Sequence, residues 1–259
     1  MKPFKGNVHT IEPFGTFDGP GIRYVLFLQG CPFQCKFCHN RDSWSTQENT
    51  LISVSDILND YANYEPFYKK GGLTISGGEP LMQAEFVKTL FKKAHEKNIH
   101  TTLDTSAACF SLKNAPLIQE VLDYTDLVLL DIKHIDPLAH KALTNATNTR
   151  VLQFLDILEK RQQKTIIRHV LIPTVNDDTE SIQRFKEYIK HYRAIEKVEV
   201  LPYHSHGKYK WEALGLSYPL DGIEDMDKTT AKKVEIMLND ALYKNRIAHP
   251  NSTFFQEKR

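Results

Sequence analysis

The chain has 259 residues, 41% hydrophobic and 25% charged, with 33 Lys and Arg against 32 Asp and Glu. That composition supplies a continuous apolar core and argues against disorder, and a net charge near +1 lacks the excess that drives binding to a phosphate backbone or an anionic membrane. Met1 to Gly6 has no apolar signal core behind its lysines, and no apolar run approaches the roughly 20 residues that span a bilayer. The expectation is therefore no nucleic acid, no membrane and a cytoplasmic protein. Four cysteines are few for a disulfide framework, and Cys31, Cys35 and Cys38 fall close together, which points to metal binding in a reducing compartment.

In chain order, Asp18-Gly19-Pro20-Gly21 reads as a turn by composition and leads into a first strand, Ile22 to Gln29, rich in β-formers. Further strands are predicted at Leu73 to Ser76, Thr101 to Asp104, Leu127 to Lys133, Thr165 to Ile172 and Val198 to Tyr203. Between them the period turns helical: Val87, Leu90, Phe91 and Ala94 share one face, as do Ile182, Phe185 and Ile189. Asp136-Pro137 and the Asp177 to Glu180 spacing mark helix starts, the second with Asp177 as cap. A last helix is expected over Thr230 to Leu242, with Val234, Leu238 and Ala241 on one stripe.

Six strand-helix units imply a parallel α/β sheet with helices outside, either a partial TIM-like barrel or a doubly wound sheet. Both architectures place the active site beyond the strands' C-terminal ends. Cys31, Ser76-Gly77-Gly78-Glu79, Asp104-Thr105, Asp131-Ile132-Lys133 and His204 all follow strand ends. One domain over residues 1–244 is expected, with a tail over 245–259 that is polar apart from Ile247, Phe254 and Phe255.

Fully extended, Cys31 to Cys38 would reach about 26 Å, so three thiolates can share one small cluster only if the segment curls into a loop. Three cysteines for four irons leave one iron open, whereas a structural zinc closes with four ligands. His39 could complete a zinc site, and Cys109 could close either a zinc site or a cluster; otherwise Cys109 is a packed small residue. Along a strand Asp131 and Lys133 point to one side, either as a mutual salt bridge or toward a shared ligand.

Cys31-x-x-x-Cys35-x-x-Cys38, with Phe37 before the last cysteine, resembles the signature of the radical S-adenosylmethionine (SAM) superfamily. Asp18-Gly19-Pro20-Gly21 with Arg23, His39 to Trp44, Leu201 to His204 and Lys208 to Trp211 narrow the resemblance. Together they are similar to the activating enzymes of pyruvate formate-lyase, over about Gly6 to Leu242. The resemblance implies an incomplete (β/α)6 barrel, a [4Fe–4S] cluster on Cys31, Cys35 and Cys38, and reductive cleavage of SAM. A Cα hydrogen is then taken from a glycine of pyruvate formate-lyase.

It further implies SAM contacts at Phe37, Cys38, His39, Gly77, Gly78, Glu79, Asp131, Ile132, Lys133 and His204. A monovalent cation would lie at Asp104, Thr105 and the Leu129 carbonyl, and peptide contacts at Asp18 and Arg168. A flavodoxin or ferredoxin would donate the electron to a monomeric enzyme. The sequence departs from the family at Ser106-Ala107, where Asn-Gly is usual, and at Asn145 to Asn148 and Pro173 to Asn176, which usually carry glycine. No cysteine lies between Cys38 and Gly77, which disfavours activators with a ferredoxin-like insert. The alternatives are an activase of another glycyl radical enzyme, an electron carrier without catalysis, and a zinc-stabilised interaction domain.

Overall fold

The computed structural model describes residues 4–248. Its strands are β1 (Lys5–Gly15), β2 (Arg23–Leu28), β3 (Thr50–Ser53), β4 (Gly72–Gly77), β5 (Thr101–Thr105), β6 (Leu127–Asp131), β7 (Thr165–Leu171) and β8 (Ile195–Pro202). The helices are α1 (Val54–Tyr64), α2 (Ala84–His95), α3 (Ala115–Leu122), α4 (Pro137–Thr144), α5 (Thr149–Arg161), α6 (Thr179–Ile189), α7 (Lys208–Ala213) and α8 (Lys228–Ala248). One sheet runs in the order β3-β1-β2-β4-β5-β6-β7-β8. The six expected strands follow one another without the reversal of order that defines a doubly wound sheet, and the sheet does not close. The fold is the incomplete (β/α)6 barrel, extended at one edge by β1 and β3.

The chain divides into two compact units, Met1–Pro32 with Asp42–Leu129 and Phe33–Arg41 with Leu130–Arg259. In the first, β2 pairs parallel with β4 and β4 with β5, while β1 pairs antiparallel with both β2 and β3. Neither β1 nor β3 is among the expected strands. β1 hides its period behind Gly6, Asn7, His9 and Pro13, with register shifts on either side of Ile11. Pro13 is tolerated because β3 covers only Lys5 to Val8, leaving the other half of β1 as an edge. The apolar face of α2 is as expected: Val87, Leu90, Phe91 and Ala94 are wholly buried.

In the second unit β7 pairs parallel with β8. Asp136 caps α4 by accepting from the amides of Leu138 and Ala139, as its position before Pro137 predicts. The cap of α6 is Asp178, accepting from Ser181 N–H, one residue after the expected Asp177, which instead accepts from the amide of Thr174. β6 ends at Asp131, so Ile132 and Lys133 follow the strand rather than continue it. α8 runs from Lys228 to Ala248, with Val234 and Leu238 buried, so residues 245–248 of the expected tail are helical. Residues 249–259, including Phe254 and Phe255, lie outside the described residues. Among the described residues no helix is long and apolar enough to cross a membrane.

Candidate functional site

In the first unit, the exit of β2 and the turn after β4 are pressed together. Gly78 N–H donates to Leu28 O at 2.9 Å and Glu79 N–H to Gly30 O at 2.8 Å. A Cβ on Gly77 (φ +120°) would stand 2.2 Å from the Leu28 nitrogen, and one on Gly78 would stand 2.2 Å from Gly30 O and 3.1 Å from the Cys31 Cβ. Only glycine permits that approach. The backbone of Gly77-Gly78 is thereby fixed against the segment that delivers Cys31, whose amide donates to Trp44 O at 3.3 Å.

Glu79 is 0% exposed. Its Oε1 accepts from Thr105 Oγ1 at 2.6 Å and the Leu81 amide at 3.0 Å. Its Oε2 accepts from Ser106 Oγ at 2.6 Å and from the amides of Ser106 at 3.0 Å and Ala108 at 3.3 Å. Burial pushes this carboxyl upward in pKa and the surrounding donors pull it down. Three of the five donors are amides that can only donate, a set that suits the ionised form. Sequence reasoning places Glu79 beside a ligand. Its carboxylate ties the turn after β4 to the loop after β5.

Asp104 Oδ2 accepts from Ser76 Oγ at 2.6 Å. Ala107 takes the left-handed φ of +51° where the family's glycine would be unstrained, and its amide donates to Thr105 Oγ1 at 2.8 Å. Leu129 is buried in β6. Asp18 is half-buried, and its carbonyl accepts from Thr74 Oγ1 at 2.7 Å. Arg23 is 0% exposed, held by Thr74, Leu73 O, Thr102 and His100, and burial draws its pKa down to about 10. Cys109 is half-buried, and its carbonyl accepts from Asn114 Nδ2 at 2.9 Å.

The second unit holds Cys35 and Cys38 on a loop fastened to the end of α4. The amides of Gln34 and Lys36 donate to the carbonyls of Thr144 (2.9 Å) and Leu143 (3.0 Å), acceptors that a helix terminus leaves open. Cys38 N–H donates to Cys35 O at 3.0 Å, and Trp211 Nε1–H donates to Cys38 O at 3.0 Å. Burial pushes the Cys35 thiol up to about 12, against the opposing pull of the nearby Lys133. Lys133 Nζ stands 2.9 Å from Asp131 Oδ2 and 5.2 Å from the centre of the Phe37 ring. This mutual salt bridge is one of the two readings the sequence leaves for the pair, although Lys133 lies beyond the end of β6. Ile132 is fully buried, and its amide donates to Arg168 O at 3.1 Å.

His39 and His204 stack at 4.3 Å with an interplanar angle of 26°, and His206 lies 4.4 Å from His204. Burial lowers the pKa of both His39 and His204, which keeps the stacked rings neutral. Gly207 fits against them, since a Cβ there would stand 2.5 Å from His39 Cδ2. His204 Nδ1 is buried without a hydrogen-bond partner. His206, Trp211 and Gly207 are absent from the expected site. Lys208 to Trp211 carries the only advance signal, as a family motif without an assigned task.

Among the described residues no group of three or more His, Cys, Asp or Glu is gathered closely enough to hold a metal ion. The donor set itself suits iron and sulfur: soft thiols, with an ammonium beside Cys35 and Cys38 that favours the thiolates a cluster requires.

A family model described as the radical SAM superfamily matches residues 25–185. A pyruvate formate-lyase-activating enzyme of Listeria monocytogenes is 40% identical over 249 residues, spanning 94% of this chain and 100% of that relative. One of Staphylococcus epidermidis is 41% identical over 91% of this chain and 96% of its own length. Among solved structures, a domain of such an enzyme from Bacteroides vulgatus superposes with a TM-score of 0.54 at 25% identity, over 66% of this chain and 94% of that one. The radical SAM enzyme coproporphyrinogen III oxidase of Escherichia coli shares the fold with a TM-score of 0.58 at 11% identity, over 86% of this chain and 52% of that one.

Proposed function

We infer, because this chain belongs to the radical SAM superfamily and within it to the pyruvate formate-lyase-activating enzymes, that it converts pyruvate formate-lyase to its glycyl radical form. The cofactors are a [4Fe–4S] cluster and SAM. When bound, the cluster would supply the one electron that splits SAM into methionine and a 5′-deoxyadenosyl radical, and transfer of a glycine Cα hydrogen to that radical would leave 5′-deoxyadenosine and the glycyl radical. The observation that supports this reading is the fit of Gly77-Gly78 against Gly30-Cys31, which fixes that backbone next to the first cysteine of the motif.

In this reading Cys31, Cys35 and Cys38 hold the cluster. The backbone of Gly77, Gly78 and Glu79 meets the methionyl amino group, Asp131, Ile132 and Lys133 meet the ribose and carboxylate, and Phe37, Cys38, His39 and His204 complete the nucleotide contacts. The unpartnered Nδ1 of His204 supports its part. A monovalent cation is assigned to Asp104, Thr105 and the Leu129 carbonyl, and the substrate peptide to Asp18 and Arg168. Flavodoxin or ferredoxin is the electron donor, and the enzyme works as a cytoplasmic monomer.

The test is anaerobic reconstitution. The protein should bind about four irons per chain, form 5′-deoxyadenosine under reduction, and give pyruvate formate-lyase a glycyl radical signal in electron paramagnetic resonance. Asp18→Ala and Arg168→Ala should slow that signal at unchanged iron content and SAM affinity, because hydrogen transfer demands close placement of the reacting carbon atoms. SAM cleavage with no radical on pyruvate formate-lyase would redirect the assignment to another glycyl radical enzyme.

A further inference from the structure

β7 carries a second polar centre behind the segment that follows β6. His169 is 5% exposed, and its Nδ1 lies 2.6 Å from Ile132 O. A carbonyl only accepts, so Nδ1 carries the hydrogen and Nε2 of the neutral ring is an acceptor. Asn176 Nδ2 meets that Nε2 at 3.3 Å. The orientation of the Asn176 amide follows from its other contacts: Oδ1 accepts from Ile172 N–H at 2.7 Å, while Nδ2 faces Val170 O at 2.9 Å and Lys133 O at 3.5 Å. With one tautomer and one amide orientation, the two hydrogens of Asn176 Nδ2 serve Val170 O and the imidazole Nε2, and Lys133 O lies farther off at the outer limit of hydrogen bonding. The ring of Phe185, 4.7 Å away at 35°, covers the imidazole face.

We propose that His169, oriented by Asn176, is a positioning residue that fixes the main chain of Ile132 and Lys133 and thereby the placement of SAM. The proposal rests on the reading above that Asp131 to Lys133 lies along SAM. β6 ends at Asp131, so ladder pairing no longer holds the next two residues in place. The Ile132 carbonyl, which shares its peptide plane with the Lys133 nitrogen, is held instead by His169, and the Ile132 amide by Arg168 O. Burial, with Lys133 and His134 nearby, draws the pKa of His169 down to about 4, so the ring stays neutral and keeps its donor-acceptor sense at physiological pH. In the reading above, the same bonds join the segment assigned to SAM, through Ile132, to the backbone of Arg168, which is assigned to the peptide.

The experiment uses the reconstituted holoenzyme and two amide replacements that sample the two ring nitrogens. His169→Asn places an N–H near the former Nδ1 and should bind SAM within about twofold of the parent. His169→Gln places it near the former Nε2 and should bind about tenfold more weakly, the scale of one lost buried hydrogen bond, at the same iron content. Imidazole nitrogen resonances of the parent should show His169 neutral with its hydrogen on Nδ1. Equal SAM affinity in His169→Gln and His169→Asn overturns the proposal, as does a hydrogen on Nε2 in the parent. If the parent neither binds nor cleaves SAM, the functional reading fails and the proposal with it. If the parent does both and the two variants are indistinguishable, the proposal alone fails.

Discussion

The two compact units bring different chemistry to the residues their sequences single out. In the first, the side chains of Glu79 and Arg23 are already spoken for. Glu79 spends both oxygens on Thr105, Ser106, Leu81 and Ala108, and Arg23 is wrapped by Thr74, Leu73 O, Thr102 and His100. In the second, thiols, an ammonium and stacked imidazoles stand together, and His204 Nδ1 has no hydrogen-bond partner. A residue in a recognised motif can therefore serve either as frame or as contact. Exposure and hydrogen-bond saturation separate the two roles where the motif does not.

The largest expected effect breaks the comparison at its metal-binding end. Cys31→Ala, Cys35→Ala or Cys38→Ala should abolish cluster binding, while Cys109→Ala should retain about four irons per chain. Iron and sulfide analysis after anaerobic reconstitution decides it. Loss of the cluster in Cys109→Ala, with retention in any of the other three, would reverse the ligand assignment.

Next comes the frame. Glu79→Ala leaves the amides of Ser106, Ala108 and Leu81 buried without their acceptor, and should cost about 4 kcal/mol at the general scale of one to three per unsatisfied group. Ser106→Ala removes one donor and keeps the others, so it should cost about 1 kcal/mol. Urea unfolding of the apoprotein measures both. Comparable small losses would mean that Glu79 is a ligand contact rather than a tie.

The six parallel strands and the cysteine loop were legible because each signal is local: a short β-rich run, or three thiols at fixed spacing. β1 was hidden because its strand character comes from pairing with β2 and β3, not from its own residues. α1 is not among the expected helices, although Ser53 caps it, accepting from the Asp56 amide, and Ile57, Leu58 and Tyr61 line its buried face. There the period was readable. The saturation of Glu79 was not, since Thr105 at the end of β5 and Ser106 in the loop after it lie 26 and 27 residues later in the chain. His169 and Asn176 likewise become a pair only when Ile132 O is brought to them.

A smaller effect, confined to the second unit, follows pH. His140 is wholly buried in α4, its Nδ1 lies 2.6 Å from Ala146 O, and burial lowers its pKa from 6.5 to about 4. The unfolded chain takes up a proton below about 6.5 and the folded chain only below about 4. Stability should thus be level above pH 6.5, fall as pH drops from 6.5 to 4, and lose up to about 3 kcal/mol over that window from this group. His140→Gln should flatten that part of the profile in apoprotein unfolding. An unchanged slope would show that the ring is already charged in the folded state.

The smallest effect falls on Asn145, where α4 ends with the left-handed φ of +66° and the amide donates to Lys141 O at 2.8 Å. Asparagine adopts this conformation more readily than other residues with a Cβ, so the departure from glycine at this position costs little. The turn leaves the carbonyls of Leu143 and Thr144 facing the amides of Lys36 and Gln34, and Asn145 Nδ2 adds a bond to Gln34 Oε1 at 3.2 Å. Asn145→Gly keeps the backbone and loses only that exposed bond, so its stability should stay within about 0.5 kcal/mol of the parent. Asn145→Val puts a β-branched side chain at positive φ and should cost about 1 kcal/mol or slightly more. Because the strained end also anchors the loop of Cys35 and Cys38, the valine variant should release iron to a chelator faster than the glycine variant. Equal release rates, alongside the expected difference in stability, would show that the cysteine loop holds its shape without the helix end.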